Sequence, residues 1–281
     1  MIRRGSSRVR GCAGALLTTL ALATAACSVS QDDEVELGRR NAQQVAAQLP
    51  VLRDPATTSY LQQLGLAIAR TTSRADLDWR FNIIDSREVN AFALPGGFIY
   101  VNRGLIERAD RLDQLAGVLG HEIGHVVQRH SVQQLEKQTK TGVAVEIGCR
   151  LTDLCNSDVA RAAIQVGGAA LFARYSRQDE AEADSVAVEF MLDAGIDPRG
   201  IPVLFRQLIE ERRRSPARIE AFFASHPLEE DRIVATEREI AALDPRALEG
   251  LRQDDPSYQA FKAKLDRLPR SPEPAREINS P

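Results

Sequence analysis

His121-Glu122-Ile123-Gly124-His125 lies within a stretch of helical periodicity, and it constrains this chain more than any other five residues. Residues four apart on an α-helix differ by about 40° in direction, so both imidazoles leave one face and can grip a single tetrahedral ion. Glu122 sits beside them, within reach of a water to be activated there. A chain built around such a pair needs a helix held in the interior, a third protein ligand from another element and one position left open for chemistry. The chain has four histidines, and this motif uses two of them. The bland reading, two surface histidines on an amphipathic helix, fits this pattern poorly.

Asp110 is the expected N-cap of the motif helix, with Asp113 in the capping-box position, and the helix is expected to run to about Gln138. Ser176 and Asp179 make the same kind of start for a second long helix that ends at Gly195. Its first turns carry Asp179-Glu180-Ala181-Glu182-Ala183-Asp184, where Glu180 and Asp184 share a face at i, i+4. Glu180 is the expected third ligand, and Asp184 the carboxylate that accepts a hydrogen bond from a ligating imidazole and orients it. Glu182 points to the opposite, solvated face. The same acidic run also complements the dipole at the helix N-terminus. Gly117, Gly120 and Gly124 on one helix and Ala181, Ala183 and Ala187 on the other would let the two approach closely.

The N-terminus reads as an address. Arg3, Arg4, Arg8 and Arg10 form a basic stretch, and Cys12 to Ala26 is an uncharged apolar run, at about 15 residues too short to span a bilayer. Residues 1–26 are therefore expected to be a secretory signal. Thr24-Ala25-Ala26-Cys27-Ser28 is similar to a bacterial lipobox, which makes Cys27 the expected lipid attachment site; ordinary cleavage near Ala25 or Ala26 is the alternative. Ser28 after the cysteine points to outer-membrane sorting, and hence to the periplasm. Cys149 and Cys155 then remain as a pair in an oxidising compartment, read as a disulfide or as two separate thiols. Lys+Arg 36 against Asp+Glu 39 gives −3, and removing the four signal arginines leaves 32 against 39, or −7. An acidic chain of this kind is not expected to bind nucleic acid.

Residues 27–34 read as a polar tether, 35–268 as one domain and 269–281, with Pro272, Pro274 and Pro281, as a disordered tail. Helices are expected from Val35 to Gln48 and from Ala56 to Arg70, separated by Pro50 and Pro55. The period then changes: Trp79 to Asp85 and Phe98-Ile99-Tyr100-Val101 are β-formers, with a turn at Leu94-Pro95-Gly96-Gly97. Asp197-Pro198 opens a further helix and Ser215-Pro216 a shorter one. The expected fold class is α+β, mainly helical, with a small β-sheet.

Four separated motifs occur in one order: Val89 to Val101, His121 to His125, Glu180-x-x-x-Asp184, and Ser225-His226-Pro227 with Arg232. In this the chain resembles the zinc endopeptidases that include the CAAX prenyl proteases and HtpX, over roughly residues 35 to 245. With its lipobox and no further span of membrane length, it resembles the soluble periplasmic branch of BepA and LoiP type. About 50 residues follow His226, so a helical-repeat domain like that of BepA is not expected here, and partner docking of that kind is not carried over. The resemblance implies a zincin-type (gluzincin) peptidase domain whose sheet lies beside the active-site helix, with one Zn2+ per chain.

His121, His125 and Glu180 are then the zinc ligands and Glu122 the general base. His226 is the expected stabiliser of the oxyanion, and the resemblance also allows it to ligate zinc in a closed, latent state. Arg232 supports the same region or is a helix-surface charge, and His130 and Arg129 read as structural. Phe98 to Val101 is either an edge strand that pairs with an extended substrate or an internal strand of the sheet. Ser131 to Tyr175, lying between the ligand-bearing helices, would cover the cleft. The expected function is an endopeptidase for unfolded or misassembled envelope and outer-membrane proteins, with outer-membrane assembly machinery a possible partner. The alternative is a chaperone-like lipoprotein with a latent zinc site.

Overall fold

Side chains that alternate between two covered faces of three short strands set the layers of the fold. A computed structural model describes residues 29–137, 175–216, 219–227 and 230–270. Strands β1 (Arg80–Ile84), β2 (Ala91–Leu94) and β3 (Phe98–Asn102) form a sheet in the order β1-β3-β2, with β1 parallel and β2 antiparallel to β3. Phe81, Ile83, Ala91, Ala93, Ile99 and Val101 enter the main core on one face. Ile84, Phe92, Leu94 and Tyr100 turn to the other, where they meet Val45. Both faces are covered, which is why these strands read as apolar runs with only partial alternation.

Helix α1 (Gln31–Gln48) covers the minor face, and α2 (Pro55–Ala69) packs against β1 on the major one. The Gln62 amide donates to Trp79 O and accepts from Phe81 N–H, fixing α2 to the start of β1. The outer edge of β1 is taken by Pro50 to Leu52: Leu52 N–H donates to Ile83 O and Asp85 N–H to Pro50 O. The β2–β3 turn needs its glycines. Gly96 and Gly97 have φ +76° and +96°, and a Cβ on Gly96 would lie 2.6 Å from Val35 Cα.

After α3 (Arg103–Arg108) comes α4 (Leu112–Val127), which carries the histidine pair and is buried from Leu112 to Val126. Helix α5 (Arg177–Asp193) packs along it, followed by α6 (Gly200–Arg214), the short α7 (Glu220–Ser225), α8 (Glu230–Ala241), a 3-10 turn at Pro245–Leu248 and α9 (Pro256–Arg267). Fully buried Arg103 ties the C-terminal helix to the sheet, donating to Leu265 O and Leu268 O and pairing with Asp85. Tyr258 adds a hydrogen bond to Ala109 O, and Phe261 stacks on Tyr60.

Three expectations about element boundaries are corrected. Part of the proposed tether is structured: Ser30 caps α1, and Glu34, 1% exposed, accepts from Arg74, Arg129 and Gly96 N–H. The motif helix starts at Leu112 rather than after Asp110, because Gln114 Oε1 folds back to accept from the Asp110 and Arg111 N–H groups, while Asp113 is buried against Arg111. The helix also does not run straight to Gln138. Arg129 adopts φ +58°, and helix resumes at 130–137.

Strand β3 is internal, paired on both sides, so Phe98, Ile99, Tyr100 and Val101 cannot receive a further strand. Strand addition is a property of sheet edges, and β2 is the edge that packs against α4. The signal segment, Cys27, Cys149, Cys155, most of the proposed cover at 131–175 and the tail beyond Arg270 lie outside the described residues. Among the described residues, no helix is long and apolar enough to cross a membrane.

Of the small residues noted in the sequence, Gly120, Gly124, Ala183 and Ala187 set the α4–α5 spacing, whereas Gly117 faces Ile201 on α6 and Ala181 is exposed. A Cβ on Gly120 would meet Ala187 Cβ at 3.3 Å, and one on Gly124 would meet Val186 Cγ2 at 2.8 Å and Ala183 O at 3.1 Å. Gly124→Ala must push α5 away from α4, because a helix backbone cannot yield as a side-chain tip can. We expect a loss of about 1–3 kcal/mol in thermal or denaturant unfolding of the metal-free chain, together with weaker metal binding.

Candidate metal centre

Helix α4 projects His121 and His125 toward α5, as the i, i+4 spacing requires. Their Nε2 atoms lie 3.0 Å apart. Glu180, in the first turns of α5, brings Oε2 to 3.5 Å from His121 Nε2 and Oε1 to 3.4 Å from His125 Nε2. His226, at the end of α7, closes the group: its Nδ1 is 3.0 Å from Glu180 Oε1 and 3.3 Å from His121 Nε2. One ligand atom from each of these four side chains lies within 4.8 Å of all the others, and all four residues are buried. Two imidazoles, a carboxylate and a third imidazole converging on one point are the donor set of a divalent metal ion.

Around this cluster the supports differ for each ligand. His121 Nδ1 lies 2.8 Å from Asp184 Oδ1. Arg232, on α8, fixes that carboxylate through Nε and Nη2, each at 2.7 Å, and reaches Glu180 Oε2 through Nη1 at 2.5 Å. Arg232 is therefore a buried part of the site and not a surface charge. His125 is held differently: its ring stacks on Tyr175, with centroids 3.7 Å apart, and its Nδ1 lies 2.8 Å from His130 Nδ1. All four histidines of the chain thus meet in one place.

Glu122 has no hydrogen-bond partner at either carboxylate oxygen although it is fully buried. His226 Nε2 lies 3.5 Å from Glu122 Oε1 and is also without a hydrogen-bond partner. Burial raises the Glu122 pKa, only partly offset by His226 and His121. Burial also pushes Glu180 upward, but His226, His125 and His121 outweigh it and hold its carboxyl well below the usual range. Asp184, likewise opposed by burial, is held low by Arg232 and His121. Burial lowers His125 well below an ordinary imidazole, leaving it neutral and able to donate a lone pair. An orphaned carboxylate beside a converged ligand set fits a metal centre with water to activate, because only a guest in that space could satisfy those oxygens.

The residues expected at the site, His121, His125, Glu180, Asp184, Glu122 and His226, are brought together by the structure. Two others join them: His130, which the sequence marked only as structural, and Tyr175, which it did not mark at all. His130 carried a signal, as the remaining histidine of only four, while nothing local marks Tyr175 except its place before the Ser176 cap.

A buried His-Glu-x-x-His helix, a glutamate from the next long helix and an unpartnered base define a metallopeptidase type of site. The family model of peptidase family M48 matches residues 55–240, and the chain belongs to that family. It is 28% identical over 236 residues to the beta-barrel assembly-enhancing protease of Escherichia coli (strain K12), covering 80% of this chain and 47% of that protein. A putative beta-barrel assembly-enhancing protease of Vibrio cholerae is 29% identical over 230 residues, with the same coverage. The mitochondrial metalloendopeptidase OMA1 of Schizosaccharomyces pombe is 29% identical over 177 residues, 63% of this chain and 51% of that protein. The chain spans about half the length of these relatives.

Arg232 is the group that makes two buried carboxylates tolerable. Arg232→Ala removes one partner from a buried ionic network, which should cost about 3–5 kcal/mol of stability in the metal-free chain. Arg232→Lys should recover only part of that, since a lysine cannot bridge both Asp184 oxygens and Glu180. Urea unfolding of the three proteins measures both steps.

Proposed function

We propose that this protein is a zinc-dependent endopeptidase of the cell envelope that cleaves unfolded or misassembled envelope and outer-membrane proteins. The observation that carries the reading is the bare, buried Glu122 carboxylate beside His121, His125 and Glu180. These three would hold zinc, whose donor preferences match two imidazoles and a carboxylate, and the bound ion would polarise the scissile carbonyl and acidify water toward neutrality. Glu122 takes the proton of the attacking water and passes it to the leaving amine, and its burial-raised pKa suits both steps. Asp184 and Arg232 keep His121 and Glu180 in place meanwhile.

His226 stands within the ligand group, where its ring takes the fourth position that a catalytic site leaves open. That supports a resting, closed state. Even in this arrangement its Nε2 is 3.5 Å from Glu122 Oε1, so a ring released from the ligand group would have only a short way to move to face the developing oxyanion. This is also the observation that favours the second reading, a chaperone-like protein with a latent metal site.

The envelope assignment draws on the signal-like N-terminus, on Ser28 after Cys27, and on relatives named for β-barrel assembly. Under this reading the protein is periplasmic, Cys27 is acylated and tethers it to the outer membrane, and Cys149 and Cys155 are bridged. Val29, two residues after Cys27, is held close to the metal helix: its carbonyl accepts from Arg129 at 2.6 Å and its N–H donates to Glu136 at 2.9 Å. Two residues span at most about 7 Å, so a lipid on Cys27 would keep the metal centre near the membrane surface. Unfolded β-barrel chains and their assembly machinery are the partners to be met there.

Glu122→Gln should retain one zinc per chain and lose cleavage of an unfolded outer-membrane protein by about 10²–10⁴-fold. Zinc binding without cleavage by the wild type, under both reducing and oxidising conditions, leaves the chaperone-like reading standing. His226→Ala should keep its zinc and cleave several-fold faster than wild type; a fall to background would assign His226 to the oxyanion instead. Mass spectrometry of the mature N-terminus should find a diacylglyceryl-modified Cys27, and an unmodified Ala or Cys terminus sinks the anchor.

A further inference from the structure

The backbone leaves the helix for a single residue just past the metal-ligand pair, and that break has a consequence for the second ligand. In an uninterrupted helix His130, five residues beyond His125, would point about 140° away from it. Arg129 instead takes φ +58°, a left-handed conformation that costs a non-glycine residue about 1 kcal/mol or more. Its guanidinium is fixed there by Glu34 at 2.8 Å and by Val29 O at 2.6 Å. The reversal swings the His130 ring back beneath His125, where it is 2% exposed with Nδ1 2.8 Å from His125 Nδ1.

We propose that His130 is a positioning residue that sets the tautomer and ring orientation of His125, as one link of a relay ending on Glu182. The proton positions follow from the ligand role. The Nε2 atom of His125 is the one aimed at the ligand group, so its lone pair must be free there and its proton must sit on Nδ1. His125 Nδ1–H then donates to His130 Nδ1, which must accept. His130 in turn carries its proton on Nε2, directed toward Glu182 Oε2 at 3.5 Å, with Asp179 Oδ1 at 3.9 Å. The opposite pairing would put the proton of His125 on the atom that binds metal.

The two imidazole ligands are thus oriented by different chemistry. His121 leans on the buried anion of Asp184, and His125 on a neutral ring backed by a half-exposed glutamate. Glu182, expected from the helical wheel to be only a solvated residue, gains a role because His130 reaches out to it across α5.

This inference rests on the metal-site reading, and the test separates the two. Zinc affinity of the full chain is measured by chelator competition for wild type, His130→Phe and His130→Asn, with melting of the metal-free proteins and the d–d absorption of the cobalt-substituted forms alongside. Phenylalanine keeps the ring and removes the acceptor; asparagine keeps an acceptor oxygen at the place of Nδ1. We expect His130→Phe to bind zinc about 10–100-fold more weakly, with a shifted cobalt spectrum, and His130→Asn to recover most of the loss.

Equal affinity of wild type and His130→Phe, or equal losses for Phe and Asn, overturns the relay. A wild type that binds no zinc overturns the metal reading itself. Should His130→Phe fail to fold, Glu182→Ala serves, since its side chain is 46% exposed. It should weaken zinc binding by less than about tenfold in the wild-type background and not at all beside His130→Asn. The same loss in both backgrounds would falsify the link through His130.

Discussion

The approach of two helices along a seam of glycine and alanine is the constraint on which the rest depends. Gly120 and Gly124 on α4 face Ala183 and Ala187 on α5 with no room for another methyl group. Only at that separation can a carboxylate from α5 come within 3.5 Å of both imidazoles on α4. The same approach drives charged groups out of water. Glu122, Glu180 and Asp184 are all buried, and such burial is tolerated only where partners or a bound ion compensate.

Compensation is unequal, and the inequality divides the labour. Asp184 and Glu180 share Arg232, which spans both and stays charged in any case. Glu122 is given nothing. A carboxylate left without donors keeps a raised pKa and open lone pairs, which is what a proton acceptor needs and what a structural residue would avoid. The sheet and α9 lie outside this cluster, while α1 reaches it only through Glu34, which holds Arg129. The sheet and α2 pack directly against α4, and Arg103, at the start of α3, ties α9 to the sheet.

Much of this was legible from residue spacing. The i, i+4 histidines, Glu180 with Asp184, and the glycine and alanine positions each follow from helical geometry, which is local and periodic. The β-character of residues 80–84 and 98–101 was legible as well, but the order of strands was not. Phe98 to Val101 is central because β1 pairs directly with it in parallel on one side while β2, which lies between the two in sequence, takes the other. Glu34 looked like part of a polar tether, since nothing in residues 28–34 signals that two arginines some 40 and 95 positions away will bury it.

By itself, the sequence determined that two imidazoles share a helix face, that a second helix carries two carboxylates in register, and that the helices can touch. These are consequences of a fixed rise and turn per residue. The tertiary structure alone decided which groups surround each ligand. It placed Arg232 between Asp184 and Glu180, and brought His226 into one cluster with His121, His125 and Glu180. Through the left-handed Arg129, it also brought the remaining histidine under His125. Those arrangements join residues separated by tens of positions, and their energy comes from satisfying charges that only the folded chain removes from water.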